Sequence, residues 1–597
     1  MAVEEELTKT KAFIRHVITG RWFMIFASCL IMAVSGATYM FGLYSNEVKT
    51  SLGYDQSTLN LISFFKDLGA NLGIFSGLIN EVSPPWVILA MGATMNFVGY
   101  FMIWLSVTSR IAKPQLWQMC LYFYIGANSQ SFANTGALVN CVQSFPRSRG
   151  SVIGLLKGYV GLSGAIFTQL YHSLYGDNSK TLIFLIGWLP AAVSFIFLPT
   201  VRVLSITPQP REIKVFYQLL YISLGVAGFL MVLIIIQNRL SFTRVEYIVD
   251  GIVVLFLLLL PLGIVFKEEF RLWKNQSQNQ NQTVPDHADA VATASASVIE
   301  LPQPEEAHAA ASSHLEGKSS SCLKNVFKPP KRGEDYTIFQ AIFSIDMLIL
   351  FIASVFGVGG TLTALDNLGQ IGKSLGYPKK SLTTFVSLVS IWNYLGRASS
   401  GFASEFLLAK YKFPRPLLLT LVMLLSCVGH ILIAFGIPNS LYFSSVIIGY
   451  CFGAMWPLMF AIISEIFGLK YYSTLYNLGA VASPVGAYIL NVKVTGFLYD
   501  KEALKQLKMK GLTRQKGKDL TCLGVQCYKM PFIIITASTL VGCFVSFILV
   551  LRTRKFYKGD IYQKFRVEPD TPQNLPTFAT TTTTTNFSQE PDKINTK

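Results

Sequence analysis

Apolar runs of about 20 residues recur along the whole chain, and this feature constrains the fold more than any other. Each run is long enough to cross the hydrocarbon core of a bilayer as a single helix. In lipid, only helices and closed barrels satisfy all of their backbone hydrogen bonds. Because the runs are too long and too evenly apolar for barrel strands, the sequence predicts an all-α polytopic membrane protein.

The composition agrees with this prediction and excludes other classes. The 597-residue chain is 51% hydrophobic and only 14% charged, whereas a soluble domain carries about 25% charged residues. The formal net charge is +17. The Lys and Arg residues lie mostly in loops between the apolar runs, a distribution that reflects membrane topology. We therefore expect the bilayer as a partner and no nucleic acid.

We predict fourteen spans. Their approximate bounds are 22–43, 57–79, 86–107, 115–136, 150–171, 181–199, 215–236, 247–266, 338–361, 382–404, 415–436, 441–465, 473–493 and 531–551. The Lys and Arg residues that flank them place both termini in the cytosol. The Lys-rich loop 498–530 is the exception, because this topology puts it outside.

Short strings repeat at an offset of 322–324 residues. The repeated positions are Ser51–Tyr54 with Ser374–Tyr377, Gly77 with Gly401, Glu81 with Glu405, and Phe145, Ser151 and Gly164 with Phe467, Ser473 and Gly486. The offset indicates two six-helix halves in the same orientation, with the seventh and eighth spans inserted between them. Parallel six-helix repeats are the architecture of major facilitator transporters.

The repeat and the polar stretches divide the chain into six parts. These are a cytosolic N-terminus (1–21), an N-terminal six-helix bundle (22–200), an inserted helix pair (215–266), a disordered cytosolic loop (267–337), a C-terminal six-helix bundle (338–551) and a disordered cytosolic tail (552–597). The loop and the tail lack an apolar period, which is typical of disorder.

Several long strings resemble the plant nodulin-like family of the major facilitator superfamily, in its nuclear-fusion-defective-like subgroup. They are Arg21–Phe23, Phe64–Asn71, Gly77–Glu81, Ile125–Gln130, Gly158–Gly164, Asp366–Gln370 and Asn393–Arg397. The resemblance spans roughly residues 20–560. It implies the major facilitator fold and a distant likeness to oxalate/formate antiporters and monocarboxylate carriers, but it implies no substrate. The usual facilitator motif after the second span, Gly-x-x-x-Asp-Arg/Lys, is degraded here, since no basic residue follows Glu81.

Four charged residues lie within the predicted spans at about the same depth, near the middle of the bilayer. They are Lys66, Asp67, Lys157 and Asp346. Charges at this depth are costly and suggest function, and two cations with two anions suit a carboxylate-containing solute. The alternative is structural: Lys66 and Asp67 lock neighbouring helices, Lys157 pairs with Asp67, and Asp346 pairs with a buried Lys.

Polar and small residues extend the candidate site. Asn71 shares a helix face with Asp67, while Asn128 and Ser131 line the path in the fourth span or, alternatively, bond to neighbouring helices. Three glycines form a stripe typical of close helix packing, namely Gly69, Gly73 and Gly77.

Two further pairs are assigned to structure or gating. Arg397 and Glu405, near the cytosolic end of the tenth span, bridge helices or form a gate. Cys522 and Cys527 flank a short turn in the last external loop, and both a disulfide in an oxidising compartment and a pair of reduced thiols fit this position.

These features predict transmembrane transport of a small solute, an organic anion such as a carboxylate, by alternating access, with proton coupling left open. A membrane receptor or sensor that retains the fold without transporting is the alternative. The loops contain no P-loop, no metal-spaced His/Cys cluster and no nucleophile elbow, so we expect no enzyme activity, cofactor or metal. We expect a functional monomer, and the plasma membrane and an endomembrane such as the vacuole both fit.

Overall fold

The computed structural model describes residues 2–54, 56–176, 179–202, 204, 211–240, 242–282, 329–511 and 521–562. Within these ranges the protein is helical and contains no β-strand. A helix lies at each of the fourteen predicted spans, which are numbered below as in the sequence analysis.

The first six spans form the N-terminal half. Their helices are Arg21–Ser35 with a 3₁₀ turn at Ala37–Met40 and Phe41–Leu52 (first), Gln56–Asn71 and Ile74–Val82 (second), Pro85–Val107 (third), Leu116–Ala133 with a π-helix at Asn134–Val139 and Asn140–Ser144 (fourth), Arg149–Tyr175 (fifth) and Ser179–Ile196 (sixth).

The last six spans form the C-terminal half. Their helices are Ile345–Ser374 (ninth), Lys379–Tyr411 (tenth), Arg415–Phe435 (eleventh), Ser440–Phe467 (twelfth), Tyr472–Ala480 with Ala482–Ala487, a π-helix at Tyr488–Gly496 and Phe497–Met509 (thirteenth), and Gln526–Lys558 (fourteenth).

The inserted pair, Glu212–Arg239 and Arg244–Gln282, packs against the side of the bundle where both halves meet. Ser223 of the seventh span shares a 2.8 Å hydrogen bond with Tyr394 of the tenth. The N-terminal helix Ala2–Thr19 packs on the eighth span, with the Phe13 ring centroid 5.7 Å from that of Phe270. The pair is therefore an integral part of the helical assembly.

Nine of the described helices are long and apolar enough to cross a membrane, and the bent pair Thr8–Thr19 and Arg21–Ser35 makes a tenth if it counts as one span. The other predicted spans, namely the second, fourth, sixth and tenth, are broken, shorter or more polar. Broken and polar helices are tolerated in a membrane where they are buried in protein or line a cavity.

The first span begins and the fourteenth ends at one end of the bundle, which we call the terminal face. Arg21 donates to the backbone oxygen of Ser144 at the end of the fourth span (3.3 Å). Arg149, which begins the fifth span, lies 5.6 Å from the ring of Tyr562, just beyond the fourteenth. The other end, which carries Cys522 and Cys527, is called the opposite face.

The predicted start of the ninth span at residue 338 is wrong. The side chains of Thr337 and Gln340 form a capping box that begins a separate short helix, Ile338–Ile342. Ser344 then caps the ninth span by accepting from Met347 N. Asp346 is therefore the second residue of the span and lies at the terminal face.

The predicted mid-bilayer depth of Asp346 is wrong as a consequence. Its two carboxylate oxygens each lie 2.7 Å from an arginine Nε, that of Arg332 before the ninth span and that of Arg552 at the end of the fourteenth. Asp346 thus ties three segments together at the terminal face.

The predicted bounds of the polar loop and tail need correction too. The eighth span continues as a helix to Gln282, and the fourteenth continues to Lys558. Residues 329–337 are also part of the packed structure, since Tyr336 N donates to the backbone oxygen of Phe467. The remainder of the predicted loop and tail, 283–328 and 563–597, lies outside the described residues.

Candidate functional site

The second span is broken near its middle, at Leu72 and Gly73. The fourth span supplies donors to the backbone oxygens around this break. The Asn128 side chain donates to the oxygens of Gly69 (2.8 Å) and Leu72 (2.9 Å). Asn128 thus bonds the neighbouring helix, the second of the two roles that its sequence position allowed.

The glycine stripe of the second span faces two different partners. A Cβ on Gly69 would lie 2.5 Å from the Tyr124 oxygen in the fourth span. A Cβ on Gly77 would lie 2.7 Å from Thr474 Cα in the thirteenth span, which belongs to the other half. Gly73 lies between them and faces Ser131 and Asn477. The stripe therefore lets the second span approach its own half and the opposing half.

A cavity lies between the halves, beside the break in the second span. Its lining residues are Ala70, Asn71, Gln130, Ser131, Asn134, Lys157, Arg397, Trp456, Phe460, Tyr476, Asn477 and Ala480. Its volume is about 30 Å³, which holds a water molecule or two but no organic solute. The structure thus holds the cavity in a contracted state.

Lys157 is the cation that the N-terminal half contributes to the cavity. Its side chain is buried, with 7% of its surface exposed. The ammonium donates to Asn134 Oδ1 at 3.1 Å. Three rings of the C-terminal half surround it at 5.1–5.9 Å from Nζ to ring centroid, those of Phe460, Tyr476 and Trp456. This arrangement, here called the aromatic cage, stabilises the cation across the boundary between the halves.

Arg397 is the cation that the C-terminal half contributes. Its Nε donates to Asn393 Oδ1 (2.8 Å), and its Nη1 donates to the backbone oxygen of Lys157 (3.2 Å). Arg397 therefore lines the cavity, and Glu405, its proposed companion, pairs instead with Arg415.

The charges of the cavity are of one sign. Lys157 and Arg397 are neighbours, since Arg397 donates to the backbone oxygen of Lys157, and the lining residues among the described part of the chain include no Asp or Glu. The arrangement can therefore bind an anion, which would relieve the repulsion between the two cations.

Lys66 and Asp67 form a separate pair on the opposite-face side of the break. Their side chains make a 2.9 Å ion pair, so Asp67 does not pair with Lys157. The Asn71 side chain donates to the backbone oxygen of Asp67 (3.0 Å) and also reaches the cavity lining. Asp366 lies beyond the predicted end of the ninth span at residue 361 but within its observed helix, and it accepts a 3.1 Å hydrogen bond from the amide of Asn491.

Glu405 belongs to a charged cluster at the terminal face, here called the gate cluster. Arg415 lies 2.7 Å from both Glu405 and Glu465, and the hydroxyl of Tyr562 donates to Glu465 at 2.8 Å. Glu405 Oε2 also accepts from the backbone N–H of Gly150 in the N-terminal half (2.9 Å). Burial raises the pKa of the Tyr562 phenol well above its usual range, so the phenol remains a donor. The cluster therefore joins the two halves at the terminal face.

Sequence reasoning missed the aromatic cage, Arg415 and Glu465. Aromatic residues at helical spacing are ordinary in membrane helices, so Trp456 and Phe460 carried no signal of their own. Glu465 did carry one, since an acid at the end of an apolar run needs a partner.

The structure also joins Cys522 to Cys527 by a disulfide at the opposite face.

Comparisons with known proteins agree with this architecture. A bacterial homologue of the iron transporter ferroportin, solved in an outward-facing state, has a TM-score of 0.51 at 8% identity, covering 88% of this chain and 98% of that one. Two six-helix halves around a central cavity and this likeness show an integral multi-pass membrane protein with the major facilitator fold.

Sequence comparison identifies the family within this fold. Residues 21–266 match the family described as Nodulin-like, and residues 334–559 match the one described as NFD4, C-terminal domain. The chain therefore belongs to the nodulin-like family. It is 24% identical to Protein NUCLEAR FUSION DEFECTIVE 4 of Arabidopsis thaliana over 90% of this chain and 89% of that one. It is also 26% identical to Probable transporter MCH1 of Yarrowia lipolytica over 37% of this chain and 46% of that one.

Proposed function

We propose that this protein transports a small organic anion, a carboxylate, across a membrane by alternating access. The observation that carries the proposal is the pair of buried cations, Lys157 and Arg397, in one cavity whose described lining includes no acid. The two cations come from different halves, so one bound anion would contact both. The superfamily fold and the relative named a probable transporter support transport itself.

The contacts between the halves at the terminal face determine which helices must separate before a solute can enter the cavity. The cavity is too small for the solute, and the gate cluster holds the halves together at the terminal face. Opening at that face requires Glu405 to release Gly150 and the fifth span to separate from the tenth. In facilitator folds, rocking of one half against the other about a fixed central site provides this motion.

We propose that the terminal face is cytosolic. The disulfide lies at the opposite face, and disulfides persist in oxidising compartments outside the cytosol. The Lys and Arg residues that flank the spans favour the same orientation. The plasma membrane and an endomembrane such as the vacuolar one both satisfy it.

For proton coupling, we propose Asp67 and Asp366. Asp346 is held by two arginines. By contrast, the side chain of Asp67 is 40% exposed, and Asp366 of the other half accepts a 3.1 Å hydrogen bond from the neutral amide of Asn491. If uptake is driven by protons, Asp67→Asn and Asp366→Asn should each remove the difference in uptake rate between an acidic and a neutral external pH. Asp346→Asn should retain it.

Uptake by proteoliposomes tests the function. The full-length protein is reconstituted and supplied separately with labelled acetate, lactate, oxalate, malate and citrate, with mannitol and choline as controls. Saturable uptake of at least one acid, and of neither control, is expected. Uptake of mannitol or choline alone would contradict the substrate class, and binding of an acid without flux would favour the receptor function.

A further inference from the structure

The indole of Trp456 is a buried donor that the described structure leaves unused. The side chain has 7% of its surface exposed, and Nε1 has no hydrogen-bond partner among the described residues. Buried polar groups in folded proteins are nearly always bonded, and leaving one unbonded costs free energy. An unbonded N–H therefore needs an explanation.

The location of Trp456 provides one, because it lines the central cavity. Lys157 Nζ lies 5.9 Å from the centroid of its ring, and Arg397 lines the same cavity. A carboxylate oxygen can accept from the Lys157 ammonium at about 2.8 Å. Because the ammonium lies 5.9 Å from the indole ring centroid, the second oxygen of the same carboxylate is then within reach of the indole N–H. The acceptor that Trp456 lacks is thus the group that the two cations favour.

We propose that Trp456 donates its indole N–H to one oxygen of the transported carboxylate while the Lys157 ammonium binds the other. The inference rests on the proposed function and specifies the substrate group as one with two adjacent acceptor oxygens. Lys157 leaves the aromatic cage to meet this group, so the cage and the anion compete for the ammonium. Because Trp456 and Lys157 belong to different halves, the bound anion links the halves in place of the cage.

Two substitutions distinguish the role of the indole N–H from the role of the aromatic cage. Trp456→Phe keeps an aromatic face towards Lys157 but removes the N–H, and it is expected to weaken anion binding about tenfold or more. Phe460→Leu keeps the N–H but removes one face of the cage. It is expected to tighten binding about threefold, because the empty state loses cation–π stabilisation.

Binding is measured on the full-length protein in nanodiscs by calorimetric titration with acetate, oxalate and malate. The unliganded unfolding temperature of each variant reports folding. If Trp456→Phe fails to fold, Trp456→His, which keeps a ring N–H, replaces it. It should bind within about threefold of the wild type, and a loss of about tenfold or more would overturn the donor role.

The outcomes distinguish this inference from the proposed function. If the wild type binds an acid and Trp456→Phe binds it equally well, the donor role of Trp456 is wrong while the substrate class stands. If Trp456→Phe and Phe460→Leu weaken binding equally, the rings only shape the cavity and the inference is overturned. If the wild type binds none of the three acids, the proposed carboxylate substrate fails and the inference fails with it.

Discussion

The carboxylate of Glu405 accepts a 2.9 Å hydrogen bond from the backbone N–H of Gly150, across the boundary between the two halves. An equivalent bond joins Glu81 to the backbone N–H of Thr474 at 3.2 Å. Each member of the second pair lies 324 positions from its counterpart in the first. The repeat in the sequence therefore corresponds to a repeated contact that joins the two halves at the terminal face.

Substitution of Gly401 by Ala should loosen this closed face. A Cβ at Gly401 would lie 2.5 Å from Gly154 Cα, so the tenth and fifth spans must separate. We expect faster hydrogen–deuterium exchange in the first turns of the fifth span. Gly228→Ala on the seventh span is the matched control, since nothing lies within 4 Å of its added Cβ. Equal exchange in both variants would show that the contact does not hold the face closed.

Removal of Arg415 should destabilise the protein strongly. Arg415→Leu leaves Glu405 and Glu465 buried without their cation, which costs about 3–5 kcal/mol of unfolding free energy. Arg552→Leu is the control, because Arg552 is partly exposed and Asp346 keeps Arg332. That loss should be about 1 kcal/mol or less. Chemical unfolding in detergent measures both, and similar losses would argue against a buried gate cluster.

Lys157→Met should lower anion uptake sharply and yet stabilise the empty protein. Lys157 is buried beside Arg397, so removing its charge removes the cost of burying a cation next to another cation. We expect uptake to fall at least about tenfold, with an unfolding temperature equal to or above that of the wild type. Lys66→Met is the comparison, because Lys66 already pairs with Asp67, and its uptake should fall less. A marked drop in the unfolding temperature of Lys157→Met would indicate a structural role for Lys157.

Asn128→Leu should destabilise the second span at its break. The substitution removes both donors to the oxygens of Gly69 and Leu72, at a cost of about 1–3 kcal/mol. Asn71→Leu should cost less, because the amide of Asn71 bonds to the backbone of its own helix. The free energy of unfolding measures both, and the reverse order would rule out this role for Asn128.

The helical membrane fold and its division into halves were readable from the sequence because each depends on short-range patterns. Apolar length predicts a span wherever lipid is the solvent, and the 322–324-residue offset predicts two like halves. The predicted start of the ninth span was wrong because two helix-capping residues lie near it. The capping residues Thr337 and Ser344 start two helices where one span was expected, so Asp346 received the wrong depth.

For the site, the sequence by itself supplied the residue types: buried cations, a polar fourth span and a glycine stripe. Only the tertiary structure decided their partners. Residues as far apart in the chain as Lys157 and Phe460 meet because the two halves pack face to face, and no spacing along the chain encodes that distance. The same packing leaves Lys157 and Arg397 as neighbouring cations and brings Glu405 against Gly150 of the other half. Periodicity is a property of one helix, whereas the charge balance of a cavity is set by all the helices that enclose it.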